Sequence, residues 1–289
     1  MSLHYTERER ANDDYVIDTE GEFARARPTS SVQNCARCQG RGFVIVDEGG
    51  YEVSEDCSCQ AILERIGCYN AAKIPADYAD KRFTDLKEHK GSTIGKAKLW
   101  MMDYVQQANP LEEKGFVLVG KSGVGKTHLL CAVLQQLTLE RGIACKYVDC
   151  FHLTERIRGS IKDGSDLDPS DILEPLVDVP LLAIDELGKG METPFETHVI
   201  DQLVTRRYNA HRPILVTTNY IPEIMAEELQ QARAQDEMRG DRFGPKRKKK
   251  QYTTYSLEER TDERIVSRLY EISKVVLVEG PDYRYGANA

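Results

Sequence analysis

FVLVGKSGVGKTHLL, residues 116–130, is the stretch that decides the fold of this chain. Residues 120–127 within it match the pattern G-x-x-x-x-G-K-[ST], directly after an apolar β-like run and directly before the helical run HLLCAVLQQL. The glycines allow backbone N–H groups to turn inward around phosphate oxygens, and the start of the helix adds positive potential. A glycine-rich turn that matches by accident would not need a strand and a helix in register on its two sides. The segment therefore predicts a nucleotide phosphate site.

The candidate nucleotide-binding residues occupy nine consecutive positions. In this pattern Lys126 reaches the terminal phosphates and the hydroxyl of Thr127 ligates magnesium. His128 follows them on the core helix, where packing is a simpler role than catalysis. A nucleoside triphosphate and magnesium are therefore expected at Gly120, Lys121, Ser122, Gly123, Val124, Gly125, Lys126, Thr127 and His128.

Polar residues end two further apolar runs. LLAIDE, residues 181–186, ends in Asp185 and Glu186, and TTN, residues 217–219, ends the next β-like run. Asp185 at the carboxyl end of a strand can hold the magnesium shell, and Glu186 can orient or deprotonate the water that attacks the γ-phosphate. The amide of Asn219 can contact the γ-phosphate or that water. A solvated acidic turn and a simple asparagine turn are the alternatives. For the acids, the phosphate loop upstream makes the catalytic role the preferred one.

Five short β-rich runs alternate with helical stretches from residue 115 onward. This pattern predicts an α/β fold with a five-stranded parallel sheet that is covered by helices on both faces. The sequence ends about a dozen residues after the last run, so we expect no room for a further helical lid domain. The runs are residues 115–119, 144–149, 179–184, 213–218 and 274–278.

Four cysteines lie in two close pairs, Cys35-x-x-Cys38 and Cys57-x-Cys59. Zinc prefers four thiolate ligands at structural sites, and paired cysteines on tight turns supply them. The spacing predicts a small zinc knuckle with no open coordination position, and so no catalytic metal. Reduced free thiols and an iron–sulfur cluster are the alternatives. A closing C-x-C pair is less common than C-x-x-C, which leaves Cys68 as an alternative fourth ligand.

Several motifs in linked order resemble the AAA+ helicase-loader family typified by DnaC and DnaI, which includes the transposition ATPase IstB. The motifs span roughly residues 74–279 and are IPADYADKRF, GKSGVGKT, LLAIDELG, the helix TPFETHVIDQLVTRRYNAHRP, TTN and ERIVSRL. The resemblance implies an AAA+ P-loop ATPase that binds ATP with Mg²⁺, associates with copies of itself and acts on a ring helicase at replication. It also implies that Asn219 is the residue known as sensor 1.

The motif ERIVSRL places Arg264 and Arg268 on one face of a predicted helix. From spacing alone, a surface helix with pairing to Glu263 or Glu271 is the simpler interpretation. The resemblance reverses this preference, because the loader segment carries an arginine finger at its second arginine. It implies that Arg268 stabilises charge on the γ-phosphate of a neighbouring subunit, with Arg264 in support. The implied catalytic set is Lys126, Asp185, Glu186, Asn219, Arg268 and Arg264.

The resemblance favours an ATP-dependent loader that places a DnaB-type replicative ring helicase on DNA at replication initiation. ATP binding and hydrolysis would then switch its assembly and its partner contacts. One rival is an IstB-like transposition ATPase; the cysteine knuckle argues against it, because that resemblance normally starts with helices. Another rival is a zinc-stabilised DNA-binding regulator whose nucleotide pocket is a passive sensor. Glu186 and Arg268 argue against a passive pocket.

Four parts of the chain are expected from the motifs and from composition. Residues 1–34 have little periodic hydrophobicity and are expected to form a flexible N-terminal arm. Residues 35–60 form the cysteine zinc knuckle, and residues 61–114 form a helical connector and the start of the ATPase domain. Residues 115–289 form the AAA+ core, with a basic insertion at about 229–260.

Charge limits the ways in which this chain can contact nucleic acid. Its 289 residues carry a formal net charge of -8, so any such contact must come from a local basic patch. The run Lys246 to Lys250 could track the phosphates of single-stranded DNA while Tyr252 and Tyr255 stack on bases; a solvated loop is the alternative. A second candidate is a helix within residues 151–165, where replication proteins of the resembling group carry an extra helix facing DNA. Its cations could equally pair with neighbouring acids, and they are Arg156, Arg158 and Lys162.

Membrane contact is not expected. No apolar run approaches the roughly 20 residues that a membrane helix needs. The first residues, MSLHYTERER, lack the apolar middle of a secretory signal. We therefore expect a cytoplasmic protein, in whose reducing environment clustered cysteines favour a metal over disulfides.

Overall fold

This computed structural model describes residues 14–88, 92–107, 109, 111–162, 168–227 and 255–285. The chain divides into two compact units. Residues 1–80 with 134–144 are here named the N-terminal unit, and residues 81–133 with 145–289 the sheet unit. None of the helices in the described ranges combines the length and the apolar character that a bilayer-spanning helix needs.

Two antiparallel hairpins and a long helix make up most of the described N-terminal unit. β1 (Tyr15–Asp18) pairs with β2 (Arg25–Pro28), and β3 (Phe43–Glu48) pairs with β4 (Tyr51–Asp56). The turn between β3 and β4 is Gly49-Gly50, and both residues have positive φ, as the tight turns of hairpins require. α1 (Ser30–Gln33) follows β2, and α2 (Ser58–Ala72) follows β4.

Residues 14–34 differ from the flexible arm that the sequence analysis expects. They form β1, β2 and α1, and they are held by Asn70 on α2. The backbone N–H of Ala26 donates to Asn70 Oδ1 at 2.7 Å, and Asn70 Nδ2 donates to the Ala26 carbonyl at 2.9 Å. Ala24 and Ala26 are buried. Small side chains and one distant amide produce no hydrophobic periodicity, so the sequence pattern does not reveal this order. The first thirteen residues of the expected arm lie outside the described residues.

Five parallel strands form one sheet in the order β6-β7-β8-β5-β9. This confirms the α/β fold with a five-stranded parallel sheet. β5, β7 and β8 are buried along their whole length, as expected for central strands of a sheet with both faces covered. The strand bounds are Gly115–Val119 for β5, Cys145–Asp149 for β6, Leu181–Asp185 for β7, Ile214–Thr218 for β8 and Ser273–Leu277 for β9.

Helices connect the strands, as the alternating sequence pattern predicts. α7 begins with Thr193 as the N-cap, Pro194 in the first turn and Glu196 completing a capping box. The last residues of α4 belong to the N-terminal unit. The bounds are Ile94–Gln106 for α3, Lys126–Leu139 for α4, Cys150–Lys162 for α5, Pro169–Asp178 for α6, Pro194–Asn209 for α7, Leu257–Arg260 for α8 and Glu263–Ile272 for α9.

Most of the predicted basic insertion, including Lys246 to Lys250 and Tyr252, lies outside the described residues. Its last six residues are described. Tyr255 is exposed, and Ser256 caps the short helix α8 by accepting a hydrogen bond from the backbone of Glu259. The proposed contact of the lysine run with single-stranded DNA stays a prediction.

One buried arginine holds the segments that lead into β7 and β8. Arg207 on α7 has no exposed surface, and burial lowers its pKa to about 9. Its planar fork of donors satisfies backbone oxygens that no helix or strand can reach. The starts of β7 and β8 are thereby fixed, and the opposite ends of these strands carry candidate catalytic residues. The guanidinium donates to the carbonyl oxygens of Leu176, Val177, Val179, Pro180 and Pro213.

Candidate functional site

The phosphate-loop motif connects the carboxyl end of β5 to the first turn of α4. Gly123 and Gly125 have φ values of 79° and 96°, a region that side chains other than hydrogen strain. A Cβ atom at Gly120 would lie 2.1 Å from the carbonyl oxygen of Val278. Backbone geometry therefore accounts for glycine at all three positions of the motif. The loop leads directly into a helix N-terminus, whose free N–H groups favour an anion.

Lys126 is the buried cation of the loop, with 7% of its surface exposed. Its Nζ donates to the carbonyl oxygens of Gly120 at 2.9 Å and Lys121 at 2.8 Å, and to Oδ1 of Asn219 at 2.7 Å. Burial lowers the pKa of Lys126 to about 8, although two nearby carboxylates act in the opposite direction. A desolvated ammonium whose hydrogen-bond partners are uncharged oxygens would gain strongly from a phosphate.

Asp185 ends β7 and is 3% exposed. Thr127 Oγ1 donates to its carboxylate, at 3.1 Å from Oδ1 and 3.0 Å from Oδ2, and the hydroxyl of Tyr147 donates to Oδ2 at 2.8 Å. The hydroxyl of Thr217 donates to Oδ1. Burial raises the pKa of Asp185, and these hydrogen bonds oppose that shift. A carboxylate beside a threonine hydroxyl supplies the hard oxygen ligands that Mg²⁺ takes.

Glu186 follows Asp185 in a strained backbone conformation. Its φ is 54°, in the left-handed region that costs a residue other than glycine about 1–3 kcal/mol. The backbone N–H of Glu186 donates to Thr217 Oγ1 at 3.0 Å, which holds the turn. The carboxylate pairs with Lys189, and the side chain is 28% exposed. Water can therefore reach this carboxylate, in contrast to that of Asp185.

The structure brings together five residues that were predicted from separate segments of the sequence. Lys126 contacts Asn219, Thr127 contacts Asp185, and Glu186 adjoins Asp185. The strand order explains this, because β7, β8 and β5 are successive neighbours and parallel strands end at a common edge of the sheet. The arrangement suits a nucleoside triphosphate with a divalent cation.

His128 has a structural contact. Its Nε2 lies 2.6 Å from the carbonyl oxygen of Arg82, and since a carbonyl oxygen only accepts, Nε2 carries the proton. The ring therefore ties residue 82 to the first turn of α4. This agrees with the packing role that is simpler for His128 than catalysis.

The two arginines of α9 have partners within the chain. Arg268 Nη1 donates to Asp201 Oδ1 of α7 at 2.7 Å, and its side chain is 27% exposed. Arg264 is 75% exposed, with Nε 3.5 Å from Asp262 Oδ1. Glu271, one of the acids considered as a partner from spacing, instead accepts a hydrogen bond from Tyr208 at 2.8 Å. The role of Arg268 at a neighbouring subunit stays a prediction.

The candidate DNA-facing helix α5 has one cation engaged with acids of the same chain. Arg158 pairs with Glu155 at 3.0 Å and with the buried Glu196, and its guanidinium lies 5.8 Å from the ring centre of Phe195. Arg156 is exposed, and the side chain of Lys162 lies outside the described residues. Pairing with neighbouring acids, the alternative considered from sequence, therefore applies to Arg158.

The four predicted zinc ligands converge in the N-terminal unit. Cys35 Sγ lies 3.7 Å from Cys57 Sγ, and Cys38 Sγ lies 3.6 Å from Cys59 Sγ; all four sulfurs lie within 4.8 Å of one another. A tetrahedral zinc ion with Zn–S bonds of about 2.3 Å places its sulfurs about 3.8 Å apart. The backbone N–H of Gly42 donates to Cys38 Sγ at 3.4 Å and lowers the pKa of this thiol to about 6, which favours the thiolate that binds metal. The donor set fits zinc.

Cys68 lies apart from this group. It is on α2, and its Sγ donates to the carbonyl oxygen of Gly142 at 3.3 Å. The four-sulfur group of the described residues does not include it. The geometry thus favours Cys59 over Cys68 as the fourth ligand.

A family model described as IstB-like ATP binding protein matches residues 68–238, more than half of the chain. The chain belongs to this family. In this IstB-like ATP-binding protein, the phosphate loop, Asp185, Glu186 and Asn219 lie within the matched residues, whereas the cysteine group precedes them and Arg268 follows them.

Similar curated proteins include replicative helicase loaders. The replicative helicase loader DnaC of Escherichia coli (strain K12) is 33% identical over 124 residues, which are 43% of this chain and 49% of the relative. The phage-like element PBSX protein XkdC of Bacillus subtilis (strain 168) is 27% identical over 203 residues, which are 67% of this chain and 74% of the relative. The chain spans about half the length of the DnaC proteins that it matches.

One solved structure supports the same grouping, and a second shares the fold. A crystal structure of the DnaC helicase loader superposes with a TM-score of 0.53 at 25% identity, covering 70% of this chain and 99% of that one. A putative primosome component from Streptococcus pyogenes serotype M3 gives a TM-score of 0.50 at 18% identity, covering 74% and 93%, and shows a shared fold alone. The resemblance to the AAA+ family of DnaC and IstB is confirmed.

Two residues of the candidate nucleotide site are not found by the sequence analysis. Tyr147 and Thr217 both donate to Asp185. Tyr147 reads as a core aromatic of β6, and nothing in the sequence near it indicates a polar partner. Thr217 carries a usable signal, because a hydroxyl in an otherwise apolar buried strand needs a hydrogen-bond partner.

Proposed function

We propose that this IstB-like protein is an ATP-dependent loader that places a DnaB-type replicative ring helicase on DNA. The observation that carries the proposal is the convergence of Lys126, Thr127, Asp185, Glu186 and Asn219 at one sheet edge, in a chain whose relatives include proteins named replicative helicase loaders. ATP binding and hydrolysis would switch its assembly and its partner contacts. The same argument supports Mg²⁺-dependent ATPase activity.

The residues of the loop are proposed to bind the triphosphate. The glycines leave space for phosphate oxygens beside the backbone, and Lys126 would exchange the neutral oxygens it now contacts for charged ones. Thr127 and Asp185 would hold Mg²⁺, which supplies positive charge to the β- and γ-phosphates when bound. Tyr147 and Thr217 are positioning residues, because each fixes one oxygen of the Asp185 carboxylate.

Hydrolysis is proposed to depend on Glu186 and Asn219. The partly exposed carboxylate of Glu186 would orient or deprotonate the attacking water. To do so it must release Lys189, its present partner. Asn219 reaches Lys126 through its Oδ1, so its amide lies at the place where the terminal phosphate would be sensed.

Arg268 is proposed to complete the site of a neighbouring subunit. Its guanidinium is partly exposed and held by Asp201, so it is already presented at a surface of α9 and could exchange that carboxylate for a γ-phosphate. A planar donor fork supplied in trans stabilises the charge that develops during phosphoryl transfer. Self-association would then be required for hydrolysis.

Mixing two inactive variants tests this arrangement. Arg268→Ala protein mixed with Lys126→Ala protein should regain hydrolysis above the sum of the two separate rates, since each variant keeps the part that the other lacks. The measurement is phosphate release under conditions where mixed assemblies are shown to form. Mixing Lys126→Ala with Glu186→Gln is the matched control, because both changes disable the same half of the site and should not complement. A mixture of the first pair that stays at the summed rate contradicts an arginine acting in trans.

Helicase capture tests the proposed function as a whole. Immobilised full-length chain should retain the purified replicative helicase of its source organism, and the retained amount should differ between ATP and no nucleotide. Lys126→Ala protein should lose that difference, because it cannot respond to ATP. Absence of helicase capture in every nucleotide state contradicts the loader proposal.

An IstB-like transposition ATPase is the second candidate, because the matching family model is described as IstB-like ATP binding protein. The cysteine group before the matched residues argues for a loader with its own docking element. ATP-dependent binding of duplex DNA without any helicase association would favour the transposition role.

A further inference from the structure

The segment after β9 turns back across the phosphate loop. The backbone N–H of Val278 donates to the carbonyl oxygen of Val119 at 2.7 Å, and that of Tyr283 donates to the carbonyl oxygen of Gly123 at 2.9 Å. The short 3₁₀ helix Tyr283–Tyr285 begins at this second contact. Two backbone hydrogen bonds therefore attach this segment to the start and to the middle of the loop.

These contacts place Arg284 at the mouth of the loop. One Nη of Arg284 donates to the hydroxyl of Ser122, the third residue of the motif. Its Nε lies 3.4 Å from Asp282 Oδ1, and its side chain is 63% exposed. The carboxylate of Asp282 lies against Gly123, where a Cβ atom would come within 1.9 Å of Oδ1. A guanidinium and a carboxylate are thus held together at the rim of the candidate phosphate site.

We propose that Arg284 is a further nucleotide-binding residue, which contacts the terminal phosphate of ATP bound in its own subunit. The proposal rests on the proposed ATP site. Ser122 is already within reach of the guanidinium, and the planar fork of an arginine suits two phosphate oxygens at once. On ATP binding, the γ-phosphate would replace Asp282 as the anionic partner of Arg284.

Electrostatics support this position. The positive charge of Arg284 contributes to the lowered pKa of Lys126, so the two cations act on the same small volume. An exposed Arg–Asp pair within one turn contributes little to stability by itself, and it gives little reason for a guanidinium to extend to Ser122. The negative charge of a triphosphate in the loop would neutralise the positive charges of Lys126 and Arg284.

Nucleotide affinities of Arg284 variants test the proposal. Full-length wild type, Arg284→Ala and Arg284→Lys are titrated with a non-hydrolysable ATP analogue and with ADP by calorimetry. Loss of one charged hydrogen-bonding group should weaken the ATP analogue about tenfold and ADP by less than about twofold. Lysine should restore part of the loss. Arg27→Ala, which removes another exposed, aspartate-paired arginine, should bind both ligands as wild type does.

Two outcomes overturn the inference while leaving the ATP site intact. One is Arg284→Ala protein with wild-type affinity for both nucleotides, and the other is an equal loss for the ATP analogue and ADP. Absence of nucleotide binding by the wild type overturns this inference and the proposed function together.

Discussion

Glu186→Gln protein is expected to bind ATP with an affinity near that of the wild type and to hydrolyse it about 10²–10⁴-fold more slowly, the usual contribution of a general base. Glutamine keeps the size of the side chain and the strained turn, but it cannot accept a proton from water. The substitution weakens the ion pair between this carboxylate and Lys189. It leaves the proposed phosphate-binding groups unchanged, because they belong to other residues. Binding is measured by calorimetry and turnover by phosphate release.

Lys126→Ala protein, unlike Glu186→Gln protein, should lose ATP binding itself. The ammonium is proposed to contact phosphate in the ground state, so its removal should affect binding before hydrolysis. Glu192→Gln, a change at an exposed acid six positions after Glu186, is the matched control and should leave both quantities unchanged. Equal ATPase rates in wild type and Glu186→Gln protein would falsify the assigned role of Glu186. Undiminished ATP affinity in a folded Lys126→Ala protein would refute that of Lys126.

The second large effect is expected on removal of metal from the cysteine group. The buried cluster of the knuckle consists of Val32, Val44 and three of its four cysteines, and every residue of β4 is exposed. So few apolar side chains cannot offset the entropy of ordering residues 35–59, and metal binding is then folding energy. We expect about one zinc per chain, and unfolding of this segment when zinc is removed.

Substitution separates this effect from the ATP site. Serine at both Cys35 and Cys38 should release the zinc and unfold the β3–β4 hairpin, which NMR spectroscopy would detect. The same change should weaken helicase association while ATP affinity is largely kept. Cys68→Ser is the matched control, since Cys68 lies outside the four-sulfur group, and it should keep the zinc. Protein purified without metal contradicts the structural role. Serine variants that still capture the helicase normally contradict the docking role.

The candidate phosphate site was predictable because its motif consists of contiguous residues. Gly120 to Thr127 require a strand before them and a helix after them, and both are visible as apolar runs. Asp185 and Asn219 were placed beside this loop for a related reason, since parallel strands that follow one another in the α/β pattern end at one edge. The cysteine pairs were likewise readable, because ligand spacing is a local property.

Local patterns in the amino-acid sequence thus predict the fold class, the phosphate loop, the acids at the strand ends and the four thiolates. The hydrogen-bond and ion-pair partners of the candidate site residues become visible only in the folded chain. Tyr147 on β6 donates to Asp185 on the neighbouring strand β7. Arg268 pairs with Asp201 on another helix. Arg284 donates to Ser122, which lies 162 positions earlier in the sequence. Such contacts depend on strand order and on the paths of connecting segments, and side-chain partners set by that geometry leave no periodicity or spacing in the sequence.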